Sequence, residues 1–164
     1  MNAQISFFIT ALSLCTTLQG KAISHLPIER DTTAVRQELA KVNKRYGEAF
    51  IKGDSSLFLS AYTPDACLLP AYLPPLCGQQ AQLGFYRLLY KAGIRNVVFT
   101  TKNLYGQTDR YVTEEGSFET FGPDNVSLGK GKYLVVWKKT VNGWKMYRDM
   151  FSSDAPPAKK QSGN

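Results

Sequence analysis

Three helices followed by a long antiparallel meander, an α+β plan, is the fold class that three observations predict. Before Asn96 the apolar residues recur every three or four positions in three separate stretches. From Asn96 onward the period drops to two. The breaks in that second half carry turn formers at Gly106, at Gly122-Pro123-Asp124-Asn125 and at Asn142-Gly143, the last being the strongest hairpin signal in the chain. This order places the helices over one face of a strongly curved, mainly antiparallel sheet. A chain of 164 residues has room for one domain, and its 43% hydrophobic content excludes a disordered protein.

The first segment is expected to stand outside that domain. Residues 1–22 hold an apolar run from Ile5 to Leu14, about the length of a signal-peptide core and short for a membrane span. Gly20-Lys21-Ala22 resembles a small-x-small cleavage site, so residues 1–22 are expected to be a signal peptide and the protein secreted or periplasmic. A buried N-terminal helix is the alternative use of that run. The domain is expected at 23–154, and the tail 155–164, without apolar periodicity, is expected to be disordered.

Within the domain, Val35, Leu39, Val42, Tyr46, Ala49 and Phe50 make one face of a helix between Ile28 and Lys52, ended by Gly53. Asp54-Ser55-Ser56 starts a short second helix through Leu57, Phe58, Ala61 and Tyr62. Cys67 to Pro70 and Leu76-Cys77 form a small hairpin around a proline-rich turn. Gln79 to Lys91 is the third helix, closed by Gly93. Val97 to Leu104, Tyr111 to Phe121, Lys132 to Lys139 and Trp144 to Phe151 are the strands of the meander. If the hairpin turn centres near Tyr72, Cys67 and Cys77 face one another, and an oxidising compartment permits a disulfide. Otherwise they are two small buried hydrophobes.

Composition narrows the chemistry. One histidine, His25, and three cysteines leave no cluster with metal-ligand spacing and no nucleophile-histidine machine. The formal net charge of +7 is spread over turns, exposed strand positions and the tail, which reads as solvated surface.

Tyr46 to Asp54 (YGEAFIKGD), Tyr62 to Pro70 (YTPDACLLP) and Gly131 to Pro156 (GKYLVVWKKTVNGWKMYRDMFSSDAP) resemble the SnoaL-like, ketosteroid-isomerase-like proteins of the nuclear transport factor 2-like superfamily. That resemblance runs from about Val35 to Asp154 and implies a cone-shaped, cystatin-like domain. It also implies an oxyanion-donating tyrosine at Tyr46. The family's general base falls at Pro70 and its second, protonated oxyanion donor at Val135. Neither residue can transfer a proton, so steroid isomerisation by that mechanism is not expected. The superfamily contains enzymes and scaffolds alike, so fold alone does not assign function.

The same alignment turns Tyr133, Val135 and Trp137 into the cone, together with Met146, Arg148, Met150 and Ser152 of the last strand. Thr113, Glu115, Ser117 and Glu119 would share the inward face of the second long strand, with the paired glutamates leaving that register open by one. The expected pocket is therefore Tyr46, Glu115, Glu119, Trp137 and Arg148, with Tyr133, Phe85, Tyr86 and Tyr90 lending a flat apolar slot. An inward arginine needs a partner, because an unpaired buried guanidinium costs several kcal/mol. It is either half of an ion pair with Glu115 or Glu119, or, with Tyr46, an anchor for a carboxylate or enolate-like oxygen.

The expected function is an exported domain that binds an unidentified small, partly apolar molecule, with isomerase- or lyase-like chemistry as the kind to look for. No cofactor, metal, nucleic acid or stable membrane span after signal cleavage is expected. Leu134, Val136, Tyr147 and Phe121 on the outer sheet face predict a homodimer. The alternative is a non-catalytic interaction module that pairs through this face.

Overall fold

In the computed structural model, which describes residues 32–106 and 109–155, the chain order is helix, helix, hairpin, helix and four long strands. The expected signal segment at 1–22, and the tail beyond Ala155, lie outside the described residues. The first helix, α1 (Thr33–Lys52), buries Leu39, Val42, Tyr46, Ala49 and Phe50, the stripe that its spacing predicts. Gly53 ends it in the left-handed region at φ 67°, a conformation other residues reach only with strain. Asp54 caps α2 (Ser55–Ser60) by accepting from the Ser56 backbone N–H at 2.8 Å. This helix stops earlier than expected, because Tyr62 already belongs to a strand.

That strand, β1 (Tyr62–Pro70), turns back as the two-residue β2 (Leu76–Cys77) before α3 (Gly78–Lys91). Cys67 and Cys77 are directly paired across the hairpin and joined by a disulfide, with their Cα atoms 4.0 Å apart. The meander follows as β3 (Asn96–Tyr105), β4 (Tyr111–Phe121), β5 (Ser127–Thr140) and β6 (Gly143–Ser153). The six strands form one open sheet in the order β2-β1-β6-β5-β4-β3. Every pairing is antiparallel except β1 with β6, which runs parallel. The sheet is thus mixed but mainly antiparallel, as expected.

The core lies between the helices and one face of this sheet. Tyr133, Val135 and Trp137 of β5 point into it, with Trp137 fully buried. Gly47 lets α1 rest directly on β3: a Cβ there would sit 2.5 Å from the Val97 carbonyl oxygen and 2.8 Å from Asn96 Oδ1. Among the described residues no helix is long and apolar enough to cross a membrane.

Two registers differ from the sequence expectation, and both matter for the site. In β4 the buried residues are Val112, Glu114 and Gly116, so Glu115 and Glu119 face away from the helices. In β6 a bulge interrupts the alternation: Trp137 pairs with Met146, while its neighbour Val136 pairs with Arg148, leaving Tyr147 as the extra residue. Trp144 and Met146 are buried before the bulge and Asp149 after it. Arg148 and Met150, expected inward, therefore lie on the outer face.

Candidate functional site

Between α3, α1 and the inner face of β3 to β6 is a cavity of about 270 Å³. Its walls are mostly apolar and aromatic, with Phe85 and Leu89 from α3, Phe99 from β3, Phe118 from β4, Tyr133 from β5 and Phe151 from β6. Tyr46 reaches it from α1, its ring edge-on to Phe99 with centroids 5.2 Å apart. Thr120, Lys130 and Ser153 also border the cavity. Its one carboxylate is Asp149.

Asp149 is 7% exposed, and its Oδ2 accepts a hydrogen bond from the Tyr62 hydroxyl at 2.7 Å. The Tyr62 hydroxyl also interacts with that of Tyr46, so Tyr46, Tyr62 and Asp149 form a polar chain in aromatic surroundings. Burial raises the Asp149 pKa to about 6 from its ordinary 3.8; the Tyr62 hydrogen bond opposes this, and the Glu114 carboxylate adds to it. Burial likewise pushes the Tyr46 and Tyr62 hydroxyls well above their ordinary range, so both are neutral donors.

Glu114, the second carboxylate, has no exposed surface, and every partner is a neutral donor. Asn43 Nδ2 donates to it at 3.1 Å, Thr101 Oγ1 at 2.5 Å, the Tyr133 hydroxyl at 2.9 Å and Trp137 Nε1 at 2.9 Å. Four donors from α1, β3 and β5 satisfy it. The two acids stand in one cross-strand row: Glu114 pairs with Val135, and Val135 pairs with Asp149. Val135 is the position at which the resemblance would place an oxyanion-donating acid. The acids flank it, one strand to either side.

Of the five expected pocket residues, Tyr46 alone borders this cavity. Trp137 is inward but spends its N–H on Glu114. Glu115 accepts from Asn103 and Tyr105, and Glu119 accepts from Ser127 at 2.5 Å with Lys130 at 3.5 Å. The Arg148 guanidinium stacks 3.7 Å over the Tyr147 ring and donates to the Asp65 and Tyr147 carbonyls. Among the described salt bridges none joins it to Glu115 or Glu119. Of the expected apolar slot, Tyr133 and Phe85 line the cavity, whereas Tyr86 packs in the core with its hydroxyl on the Ala49 carbonyl. Neither Asp149 nor Glu114 is among the residues that sequence reasoning places in the pocket. Val112 and Phe118 share the parity of Glu114, and that apolar pair is the signal that could have placed it inward.

An acid with a pKa near 6 beside an apolar cavity can accept a ligand's hydrogen bond or take up its proton near neutral pH. Among the described residues no group of acids, cysteines and histidines could hold a metal ion.

No protein-family profile matches the chain, and neither does any curated protein sequence. Solved structures do match in fold. A ketosteroid isomerase-like protein from Erwinia carotovora superposes with a TM-score of 0.60 at 17% identity, over 77% of this chain and 99% of that one. A Nostoc punctiforme protein with a cystatin-like fold gives 0.63 at 15% identity, over 75% and 93%. An NTF2-like protein from Shewanella oneidensis gives 0.60 at 17% identity, over 72% and 98%, and the functions of these last two are unknown. The arrangement of three helices on a six-stranded mixed sheet is thus the cystatin-like, nuclear transport factor 2-like fold of the ketosteroid isomerase-like proteins, and this chain has it.

Proposed function

We propose that this domain binds a small, largely apolar ring molecule in the cavity and holds its polar group on Asp149. One observation carries the reading: Asp149 borders an aromatic cavity with a single side-chain hydrogen bond, from Tyr62, while the neighbouring Glu114 has four donors. A buried carboxylate is costly unless something repays it, and a ligand donor is what this one lacks. The volume, about 270 Å³, falls just below the range of drug-sized sites, about 300 to 1,000 Å³, which fits a single small ring. Any catalysis would be proton transfer of the isomerase or lyase kind, with Asp149 as base and Tyr46 as a neutral hydrogen-bond donor. The test is an NMR titration with ring compounds, following the side-chain methyls of Leu89, Ile94 and Val97, all three of which line the cavity. Shift changes centred on these residues are expected; saturating binding that leaves them unmoved would sink the reading.

We read the chain as exported, and the Cys67–Cys77 bridge supports an oxidising compartment. A second reading, the non-catalytic dimeric module, draws on the outer sheet face. Leu134 and Met150 are direct cross-strand partners there, 42% and 52% exposed, while Val136, Tyr147 and Phe121 are half-buried. Light scattering at tens of micromolar checks it, with a dimer expected and a Leu134→Glu variant expected to be monomeric. A wild-type monomer would remove this reading and leave the cavity reading intact.

A further inference from the structure

Among the described residues, the buried charged groups are of one sign only. Glu114 and Asp149 are both buried, and no described salt bridge involves either of them. The polar groups around them are the Tyr62, Tyr133 and Thr101 hydroxyls, the Asn43 amide and the Trp137 indole, all neutral. The basic side chain nearest the cavity, Lys130, stands at its border with its side chain 67% exposed and paired to Glu119. Arg148 is next to Asp149 in sequence but lies on the opposite face of the sheet, against Tyr147.

Around the cavity are six aromatic rings: Tyr46, Phe85, Phe99, Phe118, Tyr133 and Phe151. Several meet edge to face, as Phe99 does with Tyr133 at 5.3 Å between centroids. Aromatic walls attract cations through the ring quadrupole, and the attraction grows as water is excluded. A carboxylate within the same walls adds a direct charge-assisted partner. A neutral ligand would gain the apolar contact and one hydrogen bond to the carboxylate, without the attraction between opposite charges. An anion would meet two buried negative groups.

We propose that the ligand of this cavity is an organic cation: a ring-sized amine or methylated ammonium whose positive nitrogen sits against Asp149 within the aromatic wall. This rests on the cavity reading above and names its ligand class. The outside of the protein argues in the same direction for the experiment, because a chain of formal net charge +7 attracts anions non-specifically, not cations. A preference for cations would therefore come from the interior.

Four probes of nearly equal size separate the possibilities by calorimetry near neutral pH: benzylamine, benzyltrimethylammonium, benzyl alcohol and benzoate. Both cations are expected to bind at least about tenfold more tightly than the alcohol, and benzoate most weakly. Asp149→Asn should remove most of that preference, bringing both cations to within about twofold of the alcohol measured on the same variant. Alcohol or benzoate binding as tightly as the amines, or amine binding that Asp149→Asn leaves unchanged, would overturn the cation proposal while the cavity reading stands. If none of the four binds at about 10 mM, both are overturned. The wild-type rank order tests the proposal even if the variant does not fold.

Discussion

The clearest perturbation is Asp149→Asn, because it removes a charge while keeping the shape and the oxygen that Tyr62 bonds. The folded protein holds the Asp149 pKa at about 6, against 3.8 for the ordinary carboxyl. Below the lower value the carboxyl is protonated whether folded or unfolded, and no penalty arises. As pH rises toward 6 the unfolded chain loses its proton first, so the folded state loses stability relative to it. Above about pH 7 the loss is complete. Each tenfold change in proton affinity is worth about 1.4 kcal/mol, so the rise from 3.8 to about 6 amounts to about 3 kcal/mol. Asparagine carries no such penalty.

The variant should therefore match wild type within about 1 kcal/mol near pH 4 and exceed it by about 2–3 kcal/mol near pH 8. Urea unfolding at both pH values reads this directly, since groups common to both proteins cancel in the difference. The gain at alkaline pH would be the stability that the site gives up to keep a charge in an apolar wall. A difference that does not grow with pH, or that grows toward acid, would refute the assignment of Asp149 as a strained buried acid.

Glu114→Ala should behave in the opposite way: with three buried donors and the half-buried Thr101 hydroxyl left unpaired, a loss of about 3–5 kcal/mol is expected in the same urea melts. A loss below about 1 kcal/mol would mean that water replaces the carboxylate. Reducing the protein, or changing both Cys67 and Cys77 to serine, opens a ten-residue separation and should cost about 2–3 kcal/mol without altering the β1–β2 pairing in NMR contacts. Arg148→Met should cost no more than about 1 kcal/mol and leave ligand binding unchanged, because its guanidinium lies on the outer face with neutral acceptors and the Tyr147 ring. A tenfold binding defect in that variant would reinstate it as an anchor.

Element order and most boundaries were legible in the sequence because each rests on local signals. The stripe from Leu39 to Phe50 is a local periodicity, and Gly53 and Asp54 are local punctuation. The turn at Asn142-Gly143 aligned Tyr133, Val135 and Trp137 correctly because β5 alternates without interruption up to the bulge. The site was less legible. The bulge at Tyr147 leaves no mark in the residue types, yet it exchanges Arg148 for Asp149 on the inner face. In β4 the adjacent Glu114 and Glu115 carry identical charge, so only the parity of Val112 and Phe118 distinguishes them. A one-residue error in β6 replaces a negative interior with a mixed one, and with it the expected ligand, whereas in β4 it exchanges one glutamate for another.

The row Glu114–Val135–Asp149 shows why the two acids do not play the same part. The flanking strands bring donors to Glu114 from both sides, Thr101 on β3 and Tyr133 and Trp137 on β5, and α1 closes the cluster with Asn43. Asp149 has β5 on one side and β1 on the other, and its pairing partners there are Val135 and Leu68, neither of which can donate from its side chain. Tyr62, at the start of β1, supplies the one hydroxyl that reaches it. Three of the four donors to Glu114, and the lack of them at Asp149, thus follow from strand order, and α1 adds the fourth. The first acid fixes a negative charge where no ligand can reach it. That charge raises the free energy of ionised Asp149 and would do the same to a second negative group in the cavity, as the proposed preference for cations requires.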